Sequence, residues 1–489
     1  MTLDHNRAPF TEACVRYSQA NMDRLSTPGH QAGLTMFADL TKVLGHEFLE
    51  LDVPMNTDGV DYGAKPTPLD QSLELAADAW GAKRTWFMSN GASQANQLAC
   101  LTLSNFGDTI VLQRSMHSSI IDGLAFTGMS AHYVMPSVDS QLGVPNGITP
   151  TQLDEALKET KSAGKNIAAA YVVSPSYFGA VSDVKGLADV AHSHGVPLVV
   201  DEAWGAHFGF HETLPQNSLR LGADIVVSST HKLAGSLSQT AMFHLGHSDF
   251  AAQFEPMIER SLRSLQSTSV NSQFLISLDL ARKGLMTQGP ALIPASVAAM
   301  QDLRSRLNER FADQTQQLMS YADVVDTDPL KVVVNTLGAG ISGYEARTKL
   351  FREYGIHSEM ATNSTVVMLA GAGVVPDIDR AVAAFMALPS QGDTAAGQAV
   401  LDLPQAGEQV MLVRDAFFAE TEMVSAKDAV GRVSADSLAA YPPGIPNMLP
   451  GEVITRETIE FLQATLTAPF GVVRGAASSD LSSFRVVAR

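Results

Sequence analysis

Cysteine is nearly absent from this chain: of 489 residues only Cys14 and Cys100 are cysteines. A disulfide framework is therefore not implied, and a reducing compartment fits. Long apolar runs are missing as well. No stretch approaches the roughly 20 apolar residues that span a bilayer. The segment Met1 to Phe10 is polar and has no apolar core of secretory-leader length. The expectation is a cytoplasmic protein without a membrane partner. Positive charge is in deficit, because 33 Lys and Arg face 51 Asp and Glu for a formal net charge of −18. That balance disfavours nucleic acid as a partner and mildly favours a cationic ligand, although solubility alone would account for it. With 45% hydrophobic and 17% charged residues the composition is globular, and 489 residues exceed one compact core, so two or three domains are expected.

What is present is a regular alternation. Short β-rich runs at Thr109 to Leu112, His132 to Met135, Ala168 to Val173, Pro197 to Val200, Ile225 to Ser228 and Thr240 to His244 are separated by stretches of helical spacing. Alternation of this kind predicts an α/β fold with a mainly parallel sheet covered by helices on both faces. Thr151-Gln152-Leu153-Asp154 reads as a capping box opening one of the helices. From about Pro290 the pattern changes. A long helical stretch, Pro294 to Tyr321, precedes runs at Lys331 to Asn335 and Thr365 to Leu369. Pro389 to Gln398 is small, polar and glycine-containing, as a linker would be. The expected division is 1–65, 66–290, 291–390 and 391–489, and there is no internal repeat.

Two segments carry the chemistry. The apolar run Val199-Val200 ends in Asp201-Glu202-Ala203-Trp204-Gly205-Ala206-His207, and the run Asp224 to Val227 ends in Ser228-Ser229-Thr230-His231-Lys232. A buried aspartate beside a pyridine nitrogen keeps it protonated, and a lysine amine can hold an aldehyde, so the pair suits pyridoxal phosphate (PLP). Asp201 and Lys232 are the candidates. Either segment alone also occurs in nucleotide-binding α/β proteins. Together with an upstream phosphate loop they become specific.

That loop is Asn90-Gly91-Ala92-Ser93-Gln94-Ala95-Asn96, between the apolar run Thr85 to Met88 and the helix-like stretch Gln94 to Leu103. A glycine turn into a helix N-terminus offers backbone N–H groups to a phosphate. Ser93 adds a hydroxyl or, in a plainer reading, N-caps the helix. A third element, Arg114-Ser115-Met116-His117-Ser118-Ser119, follows the strand run at 109, and His117 could cover one face of a planar cofactor. Asn90, His117, Ser174, Asp201 and Ser229 all fall at C-terminal ends of strand runs, where open α/β sheets bind ligands. Ser174 to Gly179 at one such end could contact the cofactor or serve only as a turn.

These elements, with Thr27-Pro28-Gly29-His30-Gln31-Ala32-Gly33, Tyr441-Pro442-Pro443-Gly444-Ile445-Pro446 and Pro450-Gly451-Glu452, resemble the ornithine/lysine/arginine decarboxylases of PLP fold type I. The resemblance runs from about Thr27 to about Glu452. It implies a large PLP-binding domain at 66–290, a smaller α+β region after it, and a family C-terminal domain at 391–489. It implies Lys232 as the lysine that holds PLP, Asp201 as the ring-nitrogen partner and His117 as the imidazole stacked on the ring. Gly91, Ala92, Ser93 and Ser229 would bind the phosphate. Ala203 would lie beneath the ring, Trp204 would wall the pocket, and His231 would lie near the substrate carboxylate or phosphate. Ser267, in Gln266-Ser267-Thr268-Ser269, would reach the neighbouring subunit's phosphate in a homodimer with shared sites.

The implied reaction is decarboxylation of a basic L-amino acid, with no metal. Arginine giving agmatine comes first, because the chain resembles the short form without an N-terminal wing domain, then lysine, then ornithine. Glu202, Glu353 and Glu359 are carboxylate candidates for the substrate's side-chain end. The chain departs from the family pattern at Ala92, where a hydroxyl residue is usual, at Ser118 in place of lysine, and at Val270-Asn271-Ser272. Rival readings are an aminotransferase or acyl-CoA condensing synthase of the same fold type, against which the Pro-Pro-Gly-Ile-Pro stretch argues, and a catalytically silent paralogue.

Overall fold

The computed structural model describes residues 3–20, 22–34, 37–139, 142–313, 318–388, 403–441, 444–467 and 472–489. Among the described residues ten strands occupy the first half of the chain: β1 (Arg84–Met88), β2 (Thr109–Gln113), β3 (Ser130–Val134), β4 (Val138–Asp139), β5 (Val144–Pro145), β6 (Ile167–Val173), β7 (Ala180–Val181), β8 (Leu198–Asp201), β9 (Ile225–Ser228) and β10 (Ala241–Leu245). The expected strand runs are all present, most within a residue or two of their expected bounds. The chain separates into two compact units, one of residues 1–102, 200–294 and 371–374, the other of 103–199, 295–370 and 375–489.

In the first unit β10 runs antiparallel between β1 and β9, with Trp86 opposite Phe243 and Val226 opposite His244. The link from β9 to β10 carries only the one-turn helix Thr230–Leu233, so the chain turns straight back. The α/β sheet is therefore mixed at this side, as many large sheets are. Every residue of β9 and β10 is buried, and Ile225, Val226 and Val227 are fully enclosed. Burial of each such side chain stabilises by about 1.5–3 kcal/mol. The helix Pro68–Trp80 begins in a capping box: Thr67 Oγ1 accepts from the Asp70 amide at 3.2 Å, and Asp70 Oδ2 accepts from the Thr67 amide at 2.8 Å. It ends at Gly81 in the left-handed region and buries Leu75, Ala76 and Trp80.

In the second unit β2 runs parallel to both β3 and β6, with Ile110 opposite Ala131 and Ala169. The capping box here sits two residues earlier than expected. Thr149, not Thr151, caps the helix Pro150–Ser162 and exchanges hydrogen bonds with Gln152, because Pro150 is preset for the first helical position. The expected helix from Pro294 to Tyr321 is also different. A helix spans Gly289–Leu307 and a short strand, Ala312–Asp313, follows. The chain turns at Arg310, whose guanidinium donates to the carbonyls of Met386 and Leu388, each at 2.5 Å. Helical spacing in the sequence does not register such a tertiary stop.

Lys331–Asn335 and Thr365–Leu369 pair antiparallel in a four-stranded sheet of the same unit. The C-terminal region is α+β. Leu438–Tyr441 lies between Pro446–Met448 and Val472–Arg474, and the helix Arg456–Thr467 packs Ile459 and Leu462 into a core with Leu438, Met448, Leu481 and Phe484. The expected linker, Pro389 to Gln398, lies outside the described residues. Among the described residues no helix is long and apolar enough to cross a membrane.

Candidate active site

Asp201 is the last residue of β8, and Lys232 follows β9 by one turn. Asp201 is 3% exposed. The Asn96 amide donates to its Oδ2 at 3.1 Å and the Ala203 N–H to its Oδ1 at 3.1 Å, so both oxygens are held. The Lys232 Nζ stands 3.9 Å from the centroid of the Trp204 ring. This is cation–π distance and fixes where the amine points. Ala203 and Trp204 are buried, as is Ser229, whose carbonyl accepts from the Lys232 amide at 3.0 Å.

His231 Nδ1 donates to the Thr240 carbonyl at 2.7 Å. The bond sets the tautomer and leaves Nε2 as the acceptor. Burial pushes the His231 pKa below its ordinary value, the Thr240 carbonyl opposes this, and the Lys232 charge adds to it.

The upstream loop is braced by side-chain amides. Helix Gly91–Leu103 starts three residues before the expected Gln94, so Ser93 lies in its first turn and does not cap it. Gln94 Oε1 accepts from the Asn90 amide at 3.1 Å, and Gln94 Nε2 donates to Gln266 Oε1 at 2.8 Å. Gln266 Nε2 donates in turn to Ser89 Oγ at 2.9 Å. Gly91 has φ +72°, where a side chain would be strained, and an added Cβ would meet the Gln239 carbonyl at 3.7 Å. Ser267 is exposed, and its hydroxyl accepts from the Ser269 amide at 3.1 Å.

Of the suggested substrate carboxylates, Glu202 is engaged elsewhere. It is 1% exposed, and its oxygens accept from Asn217 Nδ2 at 2.9 Å and from the Ser218 hydroxyl at 2.7 Å and amide at 3.1 Å. Burial raises its pKa to about 8 against the opposing Ser218 bonds. Glu202 is thus an internal brace of the 202–218 loop. Glu359, in the second unit, accepts from the Tyr177 hydroxyl at 2.7 Å, and Glu353 is exposed beside Lys349.

In the second unit His117 is the N-cap of helix Ser118–Thr127, its Nδ1 lying 2.8 Å from Ser119 Oγ and accepting from the Ser119 amide at 3.3 Å. Three residues upstream, Arg114 is buried and bidentate on Glu452, at 2.6 and 2.9 Å. Its Nε donates to the Pro446 carbonyl at 2.9 Å, and its guanidinium lies 5.0 Å from the Tyr133 ring centroid. The Pro-Gly-Glu motif is therefore anchored to the segment that carries His117. Gly451 has φ +90° and a Cβ there would strike the Met411 carbonyl at 2.2 Å, which accounts for the glycine. Pro442 and Pro443 lie outside the described residues.

Sequence reasoning did not single out Asn96 or Gln94. Their signal was present in the helical spacing, because Asn96 falls three positions after Ser93, on one helix face. The Arg114 partnership had no local signal, since its partner lies 338 positions along the chain.

A lysine amine and a gripped carboxylate stand at the ends of β9 and β8 of an α/β fold, the arrangement of an α/β enzyme. The chain belongs to the Orn/Lys/Arg decarboxylases. Residues 8–329 match the family's major domain and residues 402–469 its C-terminal domain. It is 31% identical to the arginine decarboxylase of Bacillus subtilis, over 99% of both chains, and 30% identical to that of Bacillus anthracis, over 99% of this chain and 98% of that one. Among solved structures, the constitutive lysine decarboxylase of Escherichia coli superposes with a TM-score of 0.81 at 20% identity, covering 99% of this chain and 82% of that one. The expected family and fold class are thereby established.

Proposed function

We propose that this chain decarboxylates a basic L-amino acid, arginine, to agmatine and CO2, with PLP as its cofactor. The observation that carries the reading is the pairing of an Asp201 carboxylate already held by Asn96 and Ala203 with a Lys232 amine set over Trp204. The residues fit PLP. Asp201 offers an anion to the ring nitrogen, Lys232 an amine to the aldehyde, and the N-terminus of helix Gly91–Leu103 its free N–H groups to the phosphate. When bound, PLP supplies the electron sink that takes up the bonding pair released as CO2 departs.

The chain's own residues do the remainder. Gly91, Ala92, Ser93 and Ser229 would hold the phosphate, Ala203 would pack against the ring and Trp204 would wall the pocket, and the family resemblance assigns His117 to the ring's face. Lys232 Nζ, or His231 Nε2 after it has accepted a proton, would return a proton to the substrate's Cα. Arginine is preferred because the relatives alignable over nearly the whole chain at 30–31% identity carry the name arginine decarboxylase.

The active form is a homodimer in a reducing cytoplasm, with Ser267 reaching the partner's phosphate. Support for self-association comes from the helix Ala38–Leu44, which buries none of its residues, and from Leu34, Phe37 and Val43, exposed at 78%, 69% and 80%. Large apolar side chains left this exposed close together in sequence suit an interface.

The test is CO2 release from PLP-loaded protein with L-arginine, L-lysine and L-ornithine separately, with Lys232→Ala as control. Release from arginine that vanishes in the variant is expected. Release from lysine or ornithine instead would reassign the substrate, and none from any, despite bound PLP, would point to another PLP reaction or a silent paralogue.

A further inference from the structure

We propose that Asn96 is the positioning residue for Asp201, its side-chain amide fixing the plane in which that carboxylate meets the PLP ring nitrogen. The inference rests on the PLP reading above and gives a role to Asn96, the last residue of the phosphate-loop segment, to which the resemblance assigns none.

The geometry is specific. Asn96 is fully enclosed and Asp201 is 3% exposed, so their 3.1 Å contact is shielded from water. A carboxylate can rotate about its Cβ–Cγ bond, and the Ala203 N–H on Oδ1 restrains only one oxygen. The Asn96 amide on Oδ2 supplies the second point, and two points define a plane. A hydrogen bond to a charged acceptor in such surroundings is among the stronger ones. An amide N–H is also a donor at every physiological pH, so it delivers a hydrogen bond without a titration of its own.

Placement on the helix adds a second consequence. Asn96 stands on Gly91–Leu103, the helix whose N-terminus is proposed to take the phosphate, and Gln94 on that helix braces the Asn90 turn. One rigid element thereby sets the phosphate end of the site and the orientation of Asp201 at the other end. A shift of the helix would move both together.

The test compares Asn96→Leu, which removes the donor at similar volume, with Asn96→His. The imidazole Nδ1 stands the same number of bonds from Cβ as the asparagine Nδ2, so it can restore a donor. PLP dissociation constants are measured by titrating the full-length protein and following the visible absorbance, with thermal unfolding of the PLP-free forms alongside. For Asn96→Leu, PLP binding is expected to weaken about 10- to 100-fold. In the loaded enzyme kcat is expected to fall by a similar factor with KM changed less than about threefold, because the effect is exerted on the cofactor. Asn96→His is expected to bind PLP more tightly than Asn96→Leu. If Asn96 only filled space, the bulkier histidine would be the worse of the two, and that order would overturn the proposal. Unchanged PLP affinity in Asn96→Leu would overturn it as well while leaving the PLP reading standing. A wild-type chain that takes up no PLP would bring down both, so the two failures are distinguishable.

Discussion

Arg114 and Glu452 form a bidentate pair with both side chains 2% exposed, and this pair joins the segment leading to His117 to the Pro-Gly-Glu motif near the C-terminus. Glu452 Oε2 also accepts from the Leu449 amide at 2.9 Å, and Arg114 Nε is taken by the Pro446 carbonyl. Every charge-bearing atom of the pair has a partner, which is the condition under which a buried ion pair is tolerated. The Pro-Gly-Glu motif is thereby anchored to the segment that carries His117.

Removing one partner therefore leaves an uncompensated buried charge. Arg114→Met is expected to destabilise the protein by about 3–5 kcal/mol, and Arg114→Met with Glu452→Leu to recover most of that loss. Chemical denaturation of the two single variants and the double one, read as a double-mutant cycle, checks it. Additive losses would mean that the pair is not coupled.

Glu202 gives a pH dependence with a definite sign. Its pKa in the folded chain, about 8, lies above the ordinary value of 4.5, so the native state keeps a proton that the unfolded chain releases. The stabilisation is fully present below about 4.5 and is lost as the pH rises through about 8. Thermal unfolding followed across that window should show a falling melting temperature. Glu202→Gln, which carries no titrating group, should show a flatter profile even if its bonds to Asn217 and Ser218 are less well matched. Parallel profiles would remove Glu202 as the cause.

The exposed apolar surface around the helix Ala38–Leu44 makes a prediction about assembly. Val43→Glu combined with Phe37→Asp should raise the dimer dissociation constant at least about tenfold, as loss of buried anchors does at protein interfaces. Sedimentation velocity over a concentration series measures it. An unchanged distribution would move the interface elsewhere on the chain.

Much of this architecture was readable from sequence because it is written locally. Ile225 to Ser228, Lys331 to Asn335 and Thr365 to Leu369 appear as strands at the very residues expected, since uninterrupted β-branched runs suit buried strands. The placement of Asp201 at the end of one strand and of Lys232 one turn beyond another was legible because each follows such a run. What escaped depends on partners distant in sequence. The helix end at Leu307 is set by carbonyls some eighty positions on, at Met386 and Leu388. The antiparallel return of β10 depends on a link too slight to cross the sheet. The role of Asn96 emerges only when β8 is laid beside its helix. Thr149 was missed for a different reason, because Thr-Pro-Thr offers two threonines and only the proline's fixed φ decides between them.

The bracing of the Asn90 turn bears on how this site could change over evolutionary time. Gln94 and Gln266 each use both ends of an amide, one accepting and one donating, so that Asn90, Gln94, Gln266 and Ser89 form a single directional relay. A directional relay cannot exchange one member at a time, because reversing the polarity at position 266 sets donor against donor at position 94. Positions 94 and 266 should therefore vary together among related chains, with glutamine at one accompanied by glutamine at the other.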